Sequence, residues 1–461
     1  MRFTLVDNKY LLIENHYGVR LSPSNDLTLA QIRSMSFSDQ KKKTLLTVLA
    51  VTGIFVTSNF PNSSISGQQE KRRPFGHSLA YLKWNPKTKR TIDDNPKPKS
   101  KSVASDSVKG EISLETTLVA FDVLVTDKDN RVVSGLTKDD FIITEDNVPQ
   151  QIGTCSLGND VNLPRSIVLV IDYSGSQLPY IETSVDSAKI LINQLGPKDK
   201  MAIVTDDVRL LVDFTSDKSY LSGTLDVLRD SAQHGKVGGS RQFTALMAVL
   251  HELVDPALGR SIIIFQTDGD EYLWLRKEEQ LRNELSTVMD PNLGPHDIEF
   301  SYDDLKNQIE HRPTTIYTVV PGEQLTNISK KEELARGRKI LERKMESDAR
   351  LEKDKKKHFK ISDISNDQIN DYSEMVRVQQ LAASVVATTS GGWTGFLESP
   401  SYANEIYGKI LSDISNRYVV GYYPINTTKD GKRRAVHIEV RGHPEYKVHG
   451  RTSYYAPEPD N

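Results

Sequence analysis

Hydrophobic positions follow two different patterns along the chain, and the first predicts strands. Between residues 111 and 160, apolar and polar residues alternate in "LVAFDVLVT" and "DFIITE", and the turn sequence "DKDN" separates these two runs. Alternation of this kind is typical of strands that bury one face. The stretch therefore predicts a small N-terminal antiparallel β unit.

The second pattern covers residues 163–400 and predicts an α/β domain. Short apolar runs, "SIVLVI", "MAIVT", "SIIIFQ" and "TTIYTVV", have the length and composition of buried strands. Stretches of helical periodicity separate them, as in "PYIETSVDSAKILINQL". Strands that alternate with helices predict a doubly wound, mostly parallel sheet that is covered by helices on both faces.

Two charged segments, at about 271–312 and 322–372, interrupt this pattern. The second has good helix propensity but only a thin apolar stripe, so it predicts a solvated helical excursion whose removal leaves the core intact. A partner-binding arm is the alternative. Residues 401–461 predict a C-terminal helix and β extension, which either extends the sheet or packs beside the first β unit.

The N-terminal 66 residues have the order of a secretory signal. Three lysines precede an uncharged apolar run at 44–60, and small residues follow it, so we expect cleavage after Ser66 and translation from Met35. An uncleaved membrane anchor and a buried helix are the alternatives. The stretch 67–110 is rich in lysine, proline and serine and predicts a disordered linker. We therefore expect a secreted, periplasmic or envelope-associated protein.

Composition narrows the class of partner. The chain has 59 lysine and arginine residues against 62 aspartate and glutamate residues, a formal net charge of −3. This balance favours neither nucleic acid nor an anionic membrane surface as a partner. Cys155 is the only cysteine, so neither an internal disulfide nor a cysteine metal cluster can form.

Aspartate, serine and threonine residues, whose side-chain oxygens are hard metal ligands, follow the predicted strands or begin a predicted helix. Asp172, Ser174 and Ser176 follow "SIVLVI", Asp268 follows "SIIIFQ", and Thr244 begins the helical "TALMAVLHELV". The carboxyl ends of parallel strands meet at one edge of a sheet, where ligands bind. Carboxylates and hydroxyls suit Mg²⁺ or Mn²⁺ rather than Zn²⁺.

The residues at this predicted edge also have interpretations that need no metal. Aspartate and serine also cap helices without any metal. Asp206 and Asp207 follow "MAIVT" near the same edge, and we interpret them as an exposed surface pair.

The motifs "DYSGS", "FTAL" and "TDGD" resemble the DxSxS, threonine and aspartate motifs of a von Willebrand factor type A (vWA) domain with a metal-ion-dependent adhesion site. The resemblance implies that Ser174, Ser176 and Thr244 coordinate the ion directly, while Asp172 and Asp268 hold its waters. With "NRYVVGYYP" and "LAASVVATTSGG", the region from about 112 to 457 is similar to secreted bacterial VWFA-related domain proteins.

The resemblance implies metal-dependent binding of a protein partner that offers an acidic residue to the ion. One alternative is a structural or assembly protein of the envelope in which the metal is incidental. A metal-assisted hydrolase is the other, but no convergent general base is evident. A subtilisin-type triad also lacks support, because neither an "HGTH"-like segment nor a GxSxG motif is present. We therefore expect a binding protein rather than an enzyme.

Overall fold

The computed structural model describes residues 2–6, 10–15, 18–21, 74–94, 118–157, 165–254, 260–284, 297–351 and 361–457. The chain divides into two compact units, Met1–Arg73 and Pro74–Asn461. In the first, three strands form an antiparallel sheet: β1 (Arg2–Val6), β2 (Tyr10–Asn15) and β3 (Gly18–Leu21). The apolar run, the cleavage site after Ser66 and the start at Met35 lie outside the described residues. None of the helices in the described ranges is long and apolar enough to span a membrane.

The second unit begins with a folded hairpin, so the prediction of a disordered linker over 67–110 is wrong for residues 74–94. Strands β4 (Leu82–Asn85) and β5 (Arg90–Asp93) pair with each other, and Leu82 is buried in the core of the α/β domain. The Glu252 carboxylate accepts the backbone N–H groups of Gly76 and Ser78 at 3.0 and 2.9 Å. Three apolar side chains, Phe75, Leu79 and Leu82, and the Glu252 carboxylate hold this stretch on the domain, and composition does not reveal these contacts.

The predicted N-terminal β unit is present as four strands: β6 (Val119–Thr126), β7 (Phe141–Glu145), β8 (Val148–Gln150) and β9 (Ile152–Leu157). Phe121, Val123 and Val125 of β6 alternate with more exposed residues and are buried. The period of two therefore selects the buried face, as the sequence indicates.

A six-stranded sheet forms the centre of the α/β domain. Its order is β12-β11-β10-β13-β14-β15, and only the β11–β12 pair is antiparallel. The prediction of a doubly wound, mostly parallel sheet is thus confirmed. The strands are β10 (Arg165–Ile171), β11 (Lys200–Thr205), β12 (Arg209–Thr215), β13 (Arg260–Gln266), β14 (Thr314–Pro321) and β15 (Thr394–Leu397).

Helices cover both faces of this sheet. One hydrophobic core contains Val185, Leu225 and Ile410, and the other contains Leu246 and Leu305. The helices are α1 (Ile181–Asn193), α2 (Lys218–Gln233), α3 (Gln242–Glu252), α4 (Glu279–Glu284), α5 (Tyr302–His311), α6 (Lys330–Leu351), α7 (Asn366–Thr389) and α8 (Ala403–Asn416).

The two charged segments are more closely integrated than the sequence indicates. In the segment 271–312, Leu273, Leu305 and Ile309 are fully buried, so the described parts, 271–284 and 297–312, contribute to the domain core. In the segment 322–372, α6 packs against α7. A methyl group at Gly337 would lie 1.8 Å from Ser373 Oγ, so the two helices are in close contact.

The C-terminal strands complete a β-sandwich with the first β unit. Two four-stranded sheets, β18-β6-β16-β9 and β19-β17-β7-β8, enclose a core that includes Phe121, Phe141 and Tyr418. Of the two placements left open by the sequence, packing beside the first β unit is the correct one. The new strands are β16 (Tyr418–Tyr422), β17 (Arg433–Val440), β18 (Lys447–His449) and β19 (Ser453–Tyr455).

Candidate metal site at the strand ends

Three aspartates follow the carboxyl ends of adjacent parallel strands and so lie at the same edge of the sheet. Asp172 follows β10, Asp206 follows β11, and Asp268 comes two residues after β13. The Asp172 N–H donates to the carbonyl of Gln266 at 3.0 Å, which extends the β10–β13 pairing by one residue. The sheet therefore brings the predicted loops together.

Hydroxyl and carboxylate oxygens of two loops are in contact. Ser174 Oγ and Ser176 Oγ are hydrogen-bonded at 3.0 Å, and Ser176 Oγ donates to Asp270 Oδ2 at 3.2 Å. The Ser174 N–H donates to Asp172 Oδ1 at 2.9 Å. This local bond orients the Asp172 carboxylate toward the loop that carries both serines.

Two side-chain amides link the carboxylates. Gln242 Nε2 donates to Asp172 Oδ2 at 2.8 Å and to Asp270 Oδ1 at 2.6 Å. Gln177 Nε2 donates to Asp268 Oδ2 at 2.7 Å. Sequence reasoning missed Gln242 and Asp270. The second aspartate of "TDGD" was the available signal for Asp270, because it lies two residues beyond Asp268.

Thr244 is bound elsewhere. Its hydroxyl and its backbone N–H both donate to the carboxylate of Glu271, the latter at 2.9 Å, and both residues are buried. The structure brings Asp172, Ser174, Ser176 and Asp268 into one hydrogen-bonded cluster, which includes Asp270 and the two glutamines. Thr244 lies beside this cluster.

The interpretation of Asp206 as part of an exposed pair is wrong. Asp206 is fully buried and accepts the N–H groups of Tyr173 at 3.1 Å and Ser240 at 2.9 Å. A methyl group at Gly238 would lie 2.1 Å from the Asp206 carboxylate, so the loop can approach this closely because it has glycine there. Asp207 is partly exposed and pairs with Arg209.

Burial and neighbouring carboxylates disfavour the charged forms of the aspartates at this edge of the sheet. Burial raises the pKa of Asp172 well above its ordinary value, and the neighbouring carboxylates Asp268, Asp206 and Asp270 raise it further. Burial raises the pKa of Asp206 to about 8. Burial and Asp268 together raise that of Asp270 to about 7. The groups that lower the pKa of Asp270 are an amide and two hydroxyls, from Gln242, Ser176 and Ser240.

The acidic side chains alone do not complete a metal site. In the part of the chain that the structure describes, no group of three or more histidine, cysteine, aspartate or glutamate side chains is arranged to hold a metal ion. Any ion at this edge would therefore need the serine hydroxyls, an amide oxygen or water among its ligands.

Comparisons with known proteins find remote similarities among solved structures. No family model matches the chain, and no curated protein matches it. Among solved structures, the vWF domain of the type V pili tip protein Mfa5 from Porphyromonas gingivalis is 12% identical over 55% of this chain and 96% of that chain, with a TM-score of 0.30.

Two further structures give similar values. The conserved hypothetical protein BatB from Bacteroides thetaiotaomicron is 14% identical over 54% of this chain and 98% of that chain, with a TM-score of 0.29. The manganese-loaded TRAP protein of Plasmodium vivax is 12% identical over 70% of this chain and 100% of that chain, with a TM-score of 0.30. At these scores the similarities add nothing to the fold class, which the order and direction of the six strands establish.

Proposed function

We propose that the strand-end cluster binds one Mg²⁺ or Mn²⁺ ion and that this ion binds an acidic side chain of a partner protein. The molecule would then be a metal-dependent binding or adhesion protein. The observation that carries the proposal is the close approach of Asp172, Asp270 and two serine hydroxyls at one buried edge of the sheet.

The spacing of the oxygens fits a small octahedral cation. Mg²⁺ binds oxygen at about 2.0–2.1 Å, so neighbouring ligands of an octahedral ion lie about 3 Å apart. The separations from Ser176 Oγ, 3.0 Å to Ser174 Oγ and 3.2 Å to Asp270 Oδ2, are close to this value. Both serines and Asp270 would then be direct ligands, with Asp172 and Asp268 holding waters.

The electrostatics favour a cation at the same place. Three buried carboxylates with raised pKa values repel one another, and an ion between them would stabilise their charged forms. Neutral hydroxyls would leave part of the ion's charge uncompensated. An exchangeable coordination position could then accept a carboxylate from outside.

Manganese binding to the purified full-length chain tests the first step. Electron paramagnetic resonance of free Mn²⁺ should show loss of signal with the wild type, and Ser176→Ala and Asp172→Asn should restore most of it. Asp303→Asn is the control, because that carboxylate is exposed and paired with Lys277 and Lys306. Full retention of Mn²⁺ by both site variants would contradict the proposed ligands.

Acetate tests the second step. Protein-bound Mn²⁺ should broaden the acetate methyl resonance more than the same concentration of free Mn²⁺ does if the ion has a position that accepts a carboxylate, and Ser176→Ala should return the broadening to the value for free Mn²⁺. A bound ion that leaves acetate unaffected would argue for a purely structural metal.

An exported location is the remaining part of the proposal. It is based on the three lysines, the apolar run at 44–60 and the small residues that follow. Protein recovered from the envelope or medium of the producing cells should begin near Gly67. An intact chain found only in the cytosol would contradict export.

A further inference from the structure

Helix α6 is fixed against the loop that carries Ser176. It contacts the 3-10 helix Gly175–Tyr180, which begins directly after Ser174. The guanidinium of Arg343 lies 5.8 Å from the centre of the Tyr180 ring. A methyl group at Gly322 would lie 3.0 Å from the Tyr180 ring. Arg343 and Gly322 therefore both lie close to this ring.

The partner helix α7 contacts the second ligand loop. A methyl group at Gly269, between Asp268 and Asp270, would lie 2.6 Å from the backbone oxygen of Gln379. Because α6 and α7 pack closely at Gly337 and Ser373, the helix pair is a fixed wall of the candidate metal site.

Helix α6 of this wall carries an excess of positive charge. Between Lys330 and Glu346, α6 has seven lysine and arginine residues and four glutamates. The side chains of Lys339 and Arg343 are 60% and 40% exposed. Both approach one carboxylate, that of Glu323, at 3.8 and 3.5 Å, and Glu323 is only 8% exposed. Two cations share one buried anion, so a positive charge remains at the surface.

We infer that α6 is the second half of the binding surface and that the partner is a protein with an acidic patch. One of its carboxylates would bind the ion, and others would lie against Lys339 and Arg343. This inference rests on the proposed function. It accounts for a strongly charged helix beside an acidic metal site, because charges at the rim of an interface select the partner and accelerate association.

Hexaglutamate binding to the full-length chain tests this inference by isothermal titration at low ionic strength. With Mg²⁺ present, Lys339→Gln/Arg343→Gln should weaken binding about fivefold, the range expected for two exposed charge pairs. Lys447→Gln is the matched control, since Lys447 is exposed on β18 of the sandwich, and it should bind like the wild type.

The outcomes separate the inference from the function beneath it. Equal hexaglutamate affinity of the wild type and the double variant, with unchanged Mn²⁺ affinity, would overturn the role of α6 and leave the metal site standing. A wild-type protein that does not bind Mn²⁺ would instead contradict the proposed function. Chelator-insensitive binding of hexaglutamate, or equal binding of a DNA duplex, would show a general anion surface and overturn the inference. The double variant leaves the buried Glu323 carboxylate without either cation, so its melting temperature is measured first. Lys339→Gln alone, which keeps Arg343 beside Glu323, provides the test if the double variant melts lower than the wild type.

Discussion

Gln242 links two carboxylates of the strand-end cluster. Its amide nitrogen donates to Asp172 and Asp270, and its amide oxygen accepts the N–H of Glu271 at 3.3 Å. A side-chain amide is a neutral donor, so it separates the two carboxylates without neutralising them. An ion bound between Asp172 and Asp270 would replace this contact with a full positive charge.

Loss of the Thr244 hydroxyl should lower the stability of the protein, whereas loss of the Ser176 hydroxyl should lower its Mn²⁺ affinity. Thr244→Val removes one of the donors to the buried Glu271, so it should lower the free energy of unfolding by about 1–3 kcal/mol and change Mn²⁺ affinity little. Ser176→Ala should reduce Mn²⁺ affinity at least tenfold with little loss of stability. Urea unfolding and Mn²⁺ titration measure the two effects, and loss of Mn²⁺ affinity in Thr244→Val would restore Thr244 as a ligand.

Sequence reasoning was successful where the strand fixes the position of a residue. Asp172 and Asp268 follow buried apolar runs, so their presence at one sheet edge could be predicted from the strand pattern. The positions of Asp270 and Gln242 could not, because they depend on turns. Gly269 has a φ of 78°, in the left-handed region, and this local geometry directs Asp270 back toward Ser176.

At the scale of elements, a helix with many charged residues can still bury one apolar face in the core. Helix α5 has a capping box, in which Ser301 and Asp304 bond each other's backbone N–H groups, and it buries Tyr302, Leu305 and Ile309. Three apolar side chains in ten residues are enough to join it to the core, while its charged residues occupy the other face. Counting charges in the segment 271–312 therefore led to the wrong interpretation.

Gly337 is a position in α6 where an added methyl group would clash with α7. Gly337→Ala should lower the melting temperature by several degrees, because the new methyl group would lie 1.8 Å from Ser373 Oγ and 2.9 Å from its Cβ. The matched control is Gly223→Ala in α2, where nothing lies within 4 Å of the new methyl group. That change should stabilise the protein by about 0.5–1 kcal/mol.

Differential scanning calorimetry measures both glycine variants. A Gly337→Ala protein as stable as Gly223→Ala would show that α6 is not held against α7. The expectation that the fold tolerates removal of α6 would then stand, whereas a destabilised Gly337→Ala variant would argue against it.

At the scale of the whole molecule, arginines join the β-sandwich to the α/β domain. Arg417 is 1% exposed and lies between α8 and β16. It donates to Asp413 Oδ1 at 3.1 Å, to the carbonyl of Asp122 at 3.1 Å and to the carbonyl of Gly391 at 2.5 Å. Arg260 of β13 also binds the carboxylate of Asp122, at 2.7 Å.

Arg417→Met should destabilise both parts of the second unit together. The substitution keeps an unbranched chain but leaves the buried Asp413 carboxylate without its cation, which costs about 3–5 kcal/mol. Arg433→Met is the control, because that arginine is partly exposed and its pairing with Glu310 contributes at most about 1 kcal/mol. Guanidinium unfolding followed by tryptophan fluorescence measures both, and equal stabilities would show that the junction carries little energy.

The sandwich also shows which part of the topology a sequence can reveal. The alternation of apolar and polar residues predicted strands on both sides of the α/β domain in the sequence, because a strand with one buried face has a period of two. The pairing of β16 with β6 and β9 joins residues far apart in sequence, and no local pattern encodes it. The strand set was therefore predictable, but the insertion of the α/β domain between two halves of a sandwich was not.

The metal-free protein should lose stability as the pH rises from about 6.5 to about 8. The pKa values of Asp206 and Asp270 are raised to about 8 and about 7 from an ordinary value of 3.8. Within this window the folded chain binds more protons than the unfolded chain, so the free energy of unfolding falls as the pH rises. Buried His251, whose pKa is lowered from 6.5, has the opposite effect mainly below the window.

Magnesium should reverse this loss, because binding requires the charged carboxylates. At about a hundred times its Kd the ion contributes about 2.7 kcal/mol, and more of that gain should appear at pH 8 than at pH 6.5. Thermal melts across the window, with Mg²⁺ and with chelator, measure both effects. Ser176→Ala is the matched variant, since it keeps every carboxylate and should show the pH-dependent loss without the rescue by magnesium. A melting temperature of the chelated wild type that stays constant or rises between pH 6.5 and 8 would contradict the crowded-carboxylate account of this edge.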